Sequence, residues 1–332
     1  MARADADGVS FWIPGFFGSL AAVPAQAPGW SITSTYYHDS VSAGGDVALA
    51  KEFRLGRVPA NLSGVSFGGN INANVDLGFL YATYTFATPV LGAQASVTFL
   101  GAYGANSSSL AGTLSGQLAT PSGTTPFSRF DSINSSIVAF GDAIPIFQLK
   151  WNAGVNNYMT YVATNLPVGA YDSLRLANLG IGFWAIDAGG GYTYFNEKAG
   201  HEFSAVLGFT YNFINPATQI QNGVDMHLDW GASQFITKQW QVGLVGYLYQ
   251  QIGCDSGSGN HVGCFQSRVV GVGPQVGYIF PIGDKLQGYL NLKAYGEFAN
   301  ENRPAGWNLW LTFNLSPAAA TPPAPSRPMF TK

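Results

Sequence analysis

Charge is what this sequence has least of. Asp, Glu, Lys and Arg make up 10% of its 332 residues, where an ordinary soluble domain carries about 25%. Lys and Arg number 15 and Asp and Glu 18, so the net charge is −3 with no basic cluster. That excludes a nucleic-acid binder, which needs a positive face. Disorder is excluded too, because 14% of residues are aromatic and disordered chains are poor in aromatics and rich in charge. Long apolar runs are also lacking. A membrane helix needs about 20 in succession, and the oiliest stretch, Leu77 to Leu100, is broken by Thr, Gly, Pro and Gln. Nucleotide and redox signatures are missing as well: there is no G-x-G-x-x-G after a strand, no P-loop and no C-x-x-C pair.

The opening MARADADGVSFW has no charged start followed by an apolar run, so it does not read as a signal peptide. Ala2-Arg3-Ala4 has the form of a cleavage site, and the expectation is a chain that begins near a mature N-terminus. A cytoplasmic start is the competing reading. Cys254 and Cys264 flank the loop-like DSGSGNHVG. In an oxidising compartment they would form a disulfide. Free thiols, or a metal held with His261 and Asp255, are the alternatives. No metal site and no cofactor is expected.

What is present alternates. From Leu286 to Gly296 one face reads Leu286, Gly288, Leu290, Leu292, Ala294, and the other Gln287, Tyr289, Asn291, Lys293, Tyr295. Phe203 to Phe213 and Asn70 to Phe79 repeat the pattern. Period-two patterning means strands. Twelve segments qualify: 29–37, 69–86, 93–104, 143–152, 157–165, 181–195, 201–213, 223–236, 240–251, 265–280, 286–298 and 306–315. Their connections alternate between tight turns (ATPVLG, AGVN, NEKAG, TKQ, PIGDK) and longer stretches (38–68, 105–142, 166–180, 214–222, 252–264, 299–305). Outer-membrane barrels do this, with short periplasmic turns and long external loops. The expected fold is therefore all-β: a transmembrane antiparallel up-and-down β-barrel of about twelve strands, spanning residues 28–316. A lipid-facing exterior also explains the scarcity of charge.

Residues 1–27 would comprise a leader remnant and an apolar, Pro-punctuated segment able to plug the barrel; 317–332 is a Pro/Ala-rich tail expected to be disordered. The segment 47–58 reads as an extra strand or a hairpin arm, 105–130 as a mobile loop, and Pro274 as the site of a β-bulge. Trp230, Trp240 and Trp307 are expected outward, in interfacial belts.

The runs NYMTYVATNLPVGAYD, RLANLGIGFWAIDAGGGYTYFN, GHEFSAVLGFTYNFINPATQIQNG, HLDWGASQF and QGYLNLKAYGEF resemble the outer-membrane family named for the MetA pathway of phenol degradation. The resemblance covers about residues 28–317, with Phe183 standing where His is expected. It implies an outer-membrane barrel linked to uptake of aromatic or other hydrophobic compounds, and no enzyme.

Lumen or pathway candidates come from the polar faces: Asp76, Lys150, Glu202, Asp225, His227, Asp229, Asn291, Lys293 and Glu297, with the aromatics Tyr247, Tyr249, Tyr289 and Tyr295. Apolar walls with a few placed polar groups suit an oily, aromatic cargo. The competing reading is a braced, packed interior. The function expected is passive uptake of small hydrophobic or aromatic compounds by a monomer surrounded by outer-membrane lipids, in the bacterial outer membrane and without a nucleic-acid partner. Two alternatives stand beside it. One is a lipid-modifying hydrolase at His38 and Ser40, which share a strand face; the other is a structural barrel or adhesin acting through its loops. Hydrolysis needs a third, orienting group, which the sequence does not disclose.

Overall fold

The computed structural model describes residues 10–318 except 261, 262 and 265. Twelve strands form one closed antiparallel barrel in which each strand pairs with its sequence neighbours. They are β1 (Gly29–Gly44), β2 (Leu62–Thr85), β3 (Gln94–Thr120), β4 (Gly123–Ala153), β5 (Asn156–Asn165), β6 (Ala185–Asn196), β7 (His201–Asn212), β8 (Asp225–Phe235), β9 (Trp240–Gln251), β10 (Arg268–Ile282), β11 (Leu286–Glu301) and β12 (Ala305–Pro317). β12 closes on β1 from Ile32–Leu315 to Ser42–Ala305. Around the ring that all twelve strands share, closure leaves no edge, so the ladder groups there have partners and the wall can sit in hydrocarbon; residues 123–145 of β4 rise beyond that ring and pair with β3 alone among the strands.

Outward side chains make the lipid face. Ile32, Leu80, Phe99, Phe147, Val162, Leu207, Leu244, Leu290 and Leu311 are all exposed. Rings mark both rims of this belt: Trp30, Tyr84, Tyr158 and Trp240 at the end where β1 starts and β12 stops, and Tyr103, Phe140, Trp184 and Trp307 at the other. Trp240 and Trp307 thus lie where the alternation puts them. Trp230 is half-buried, its ring over Gly246.

The wall is lopsided. β2, β3 and β4 run 24, 27 and 31 residues, so they rise far above the membrane belt. Residues 105–142 are therefore not a loop. β3 and β4 stay paired to Thr120–Gly123, with one register shift between Gly101 and Tyr103. Gly123 closes the tip at φ 127°, a conformation that favours glycine. Residues 47–58 are not a strand either. Helix α1 (Gly45–Arg54) occupies most of them, with Asp46 in its first turn. Ala48 and Leu49 of α1 bury against Phe67, Ile71, Leu110 and Leu114 of the tall wall and Leu176 of the β5–β6 loop.

This packing reverses the expected faces of β2. Ile71 and Phe79 point inward and are buried, while the intervening Asn72, Asn74 and Asp76 face out. Above the belt the outer surface meets water, so the polar set turns outward and the apolar set covers α1. Asp76 is accordingly not a lumen residue. Pro274 carries no bulge: the β9–β10 register runs unbroken through Pro274–Leu244, and the β10–β11 shift lies between Arg268 and Val270. Pro274 is exposed on the outward face, and the β10–β11 ladder passes over Gly273 and Pro274 without pairing them, which leaves room for a residue that has no N–H to give. Cys254 and Cys264 are joined by a disulfide; His261 lies outside the described residues.

Candidate functional site: a filled lumen beneath an apolar vestibule

The N-terminal segment runs inside the barrel, and lumen side chains bond its backbone. Asp229 on β8 accepts from Gly15 N–H at 2.9 Å and from Phe17 N–H at 3.3 Å. Lys293 on β11 reaches the other side, its Nζ donating to Gly15 O at 2.7 Å and Phe17 O at 3.2 Å. One turn of chain is thus held between a carboxylate and an ammonium. Gly15 makes the turn at φ +88°, with the Tyr295 ring at the place a Cβ would take. Further along, Glu202 on β7 accepts from Leu20 N–H at 2.9 Å, and Thr193 Oγ1 accepts from Ala22 N–H at 3.0 Å. Lys150 on β4 donates to Val23 O at 3.3 Å. Burying unpaired backbone polar groups is costly, and these inward charged and hydroxyl side chains offset that cost at the groups they bond.

The upper part of the segment packs by rings. Trp12 lies face to face on His227, centroids 3.7 Å apart and planes 11° apart. His227 Nε2 is 2.9 Å from Asp187 Oδ2, and Thr210 donates to the same oxygen at 2.5 Å. Neither Trp12 nor Asp187 stands among the residues the sequence nominates. The Asp187 signal is present, because it falls on the inward phase of AIDAGGG. Phe11, Trp12, Met159, Tyr161, Phe183 and Val206 form one buried cluster. Gly208 permits it, since a Cβ there would overlap the Tyr161 hydroxyl and the His227 ring.

The other nominated residues divide by level. Tyr247 donates to Glu297 Oε1 at 2.7 Å and accepts from Asn308 at 2.8 Å. Tyr295 lies tilted against Tyr247, ring centroids 4.9 Å apart, and the Arg303 guanidinium lies 4.5 Å over the Tyr249 ring. Lower down, Tyr289 donates to Gln241 at 2.9 Å and Asn291 to Val276 O at 3.2 Å. Asp225 accepts from Asn212 at 2.8 Å near the external rim. All of these face inward. Asp76 alone stands apart, on the exterior.

Above the segment opens a vestibule of about 400 Å³. β1 contributes Val41, the tall wall Ile71 and Val75, α1 Lys51 and Phe53, and the β5–β6 loop Leu174, Leu176, Ile181 and Phe183. Asp39, Asn106, Ser108, Tyr171 and Asn222 add polar points to this mostly apolar lining. The β5–β6 loop is held inside by Asp142, which accepts from Gly169 N–H, Ile181 N–H and Asn165 Nδ2 at 2.8, 2.9 and 3.0 Å. Phe183 belongs to both the vestibule floor and the cluster around Trp12. On the rim, outside the membrane belt, Arg57 and Arg129 bracket Asp131 and Glu52. The Arg57 hydrogen bond holds the Asp131 carboxyl below its usual range, while burial raises that of Glu52.

No curated protein matches the sequence. Among solved structures, an outer-membrane channel of Pseudomonas putida F1 overlies it with a TM-score of 0.63 at 15% identity, over 87% of this chain and 96% of that one. At that identity the likeness is one of fold. A FadL homologue of Pseudomonas aeruginosa matches at 0.34 and 11% identity, over 87% and 89% of the two chains, too loosely to carry an argument. The model of the family described as "Putative MetA-pathway of phenol degradation" matches residues 43–313, and the chain belongs to that family.

Proposed function

We propose that the protein mediates passive uptake of small hydrophobic or aromatic compounds across the bacterial outer membrane, as a monomer embedded in its lipids. The observation that carries this reading is the vestibule: an apolar cavity of about 400 Å³ whose floor residue Phe183 packs in the same cluster as Trp12 of the lumen segment. That volume lies within the range of small-molecule sites, about 300–1,000 Å³. Its walls are mostly aliphatic and aromatic with a few polar points, so they favour an oily solute over an ion. A solute seated there stands over the N-terminal segment, and displacement of that segment opens the way down. Passage makes and breaks no covalent bond; the solute's own gradient drives it.

Filling the vestibule tests the reading. Ala73 lines it from β2, and Ala73→Trp should slow entry of labelled toluene or phenol into cells or barrel-containing vesicles while the barrel still folds. Uptake unchanged across a panel of apolar solutes would overturn it.

A further inference from the structure

The reversed face of β2 brings four functional groups together on the barrel's outside. In the β1–β2 ladder His38 stands opposite Asp76, and Ser40 opposite Asn74. His38 Nδ1 is 2.8 Å from Asp76 Oδ1, and Tyr36 donates its hydroxyl to the same oxygen at 2.5 Å. Ser40 Oγ donates to Asn74 Oδ1 at 2.8 Å. The His38 ring lies 4.8 Å from Trp307, the residue opposite Ser40 on β12. His38 and Ser40 are two apart on one strand, so they share a face about 7 Å apart at Cα. A turn of the Ser40 side chain away from Asn74 brings its hydroxyl toward the imidazole.

Depth matters as much as chemistry. Below this row the outward residues are Leu80, Tyr103 and Phe140, all exposed and apolar. Level with Ser40 and above it they are Asn74, Ser107 and Ser136 and then Asn72, which line a polar hollow on the outer wall. The row therefore marks the boundary between acyl chains and headgroups, the depth at which lipid ester bonds lie.

We propose that Ser40, His38 and Asp76 form a lipid-facing esterase site for acyl esters of membrane lipids, separate from the lumen. The Asp76 carboxylate can only accept, so it fixes the proton on Nδ1 and leaves Nε2 as the base. Ser40 Oγ attacks the ester carbonyl carbon and its proton passes to Nε2. The C–O bond breaks, and the departing alcohol takes that proton. Water, deprotonated by the same Nε2, then attacks the acyl-serine, releasing the fatty acid and restoring Ser40. The Asn74 side-chain amide, opposite Ser40 across the ladder and released when Ser40 turns to the imidazole, is placed to donate to the developing oxyanion.

The test uses the full-length barrel in detergent micelles and in phosphatidylcholine vesicles. A fluorophosphonate probe should add one mass increment, mapped to Ser40, and this labelling needs no variant. Fatty-acid release should fall about 10²–10⁴-fold in Ser40→Ala and His38→Ala and substantially in Asp76→Asn. It should be unchanged in Ser42→Ala, the next serine on the same face. Each variant is checked for the compact electrophoretic form of a folded barrel. Absence of probe at Ser40, or wild-type release no greater than that of Ser40→Ala, overturns the proposal and leaves the uptake reading untouched.

Discussion

Removing the Asp229 carboxylate should unseat the lumen segment. In Asp229→Ala, the N–H groups of Gly15 and Phe17 lose their acceptor. Bonds to a charged partner contribute about 1.5–3 kcal/mol each, so the pair is worth about 3–6 kcal/mol before relaxation. Each 1.4 kcal/mol is about tenfold in an equilibrium, so the displaced form rises by roughly 10²–10⁴. Lys293 still donates to the Gly15 and Phe17 carbonyls, so that half of the hold remains. Asp229→Asn keeps one acceptor oxygen and should fall between. The assay is thiol labelling of a Ser19→Cys reporter, since the native cysteines are already paired, together with conductance in planar bilayers. Labelling and conductance should increase together, Ala above Asn above wild type. If Asp229→Ala labels no faster than wild type while its barrel is intact, the carboxylate does not hold the segment and the gating argument fails.

Other consequences are open to measurement. Gly208→Val should lower the thermal midpoint of the barrel by the equivalent of about 1–3 kcal/mol, because its side chain would enter the space of Tyr161 and His227; an unchanged midpoint would show that this part of the lumen has slack. Reducing Cys254–Cys264, which are 10 residues apart, removes a constraint worth about 3 kcal/mol. Amide exchange should rise in 252–264 and stay unchanged in the strands. Acid should act on the rim in two stages. Glu52, raised by burial, takes its proton first; a raised acid favours the folded form more as pH falls, so α1 stays docked. Asp131 is lowered by Arg57, so its contribution is present above the usual carboxylate pKa and is lost only as pH falls through its own lower value. Exchange at α1 amides followed from pH 7 downward should stay flat through mild acid and rise below that range; a rise that tracks Glu52 instead would contradict the assignment.

How much of this could be read from the sequence differs by element. β11 and β7 are half-exposed to lipid and half to a polar lumen, so alternation identified both their existence and their faces. β2 alternates just as cleanly, yet its faces are the other way round. Periodicity says which residues share a face, and only the surroundings say which face is inside. The β3–β4 hairpin was hidden by composition: its Ser, Thr and Gly look like loop. Even so, Leu110, Gly112 and Leu114 against Ser109, Ala111 and Thr113 keep period two. α1 has ten residues, too short for its spacing to outweigh a strand reading. The lumen charges were visible as inward residues, but their partners were not. Gly15 and Asp229 are 214 positions apart, and no local pattern connects them.

That separation sets an order of assembly. Residues 10–23 are synthesised early, but the side chains that hold them belong to β6, β7, β8 and β11. They cannot reach their final partners until most of the chain has been made. β1, which follows the segment directly, waits likewise for β12. Contacts of such long range form slowly, so threading of the amino end belongs to the closing step of the cylinder. A nascent barrel still lacking β11 and β12 would have an open seam and a loose amino end at once. Both defects are repaired together, so the last strands made complete the wall and secure residues 10–23.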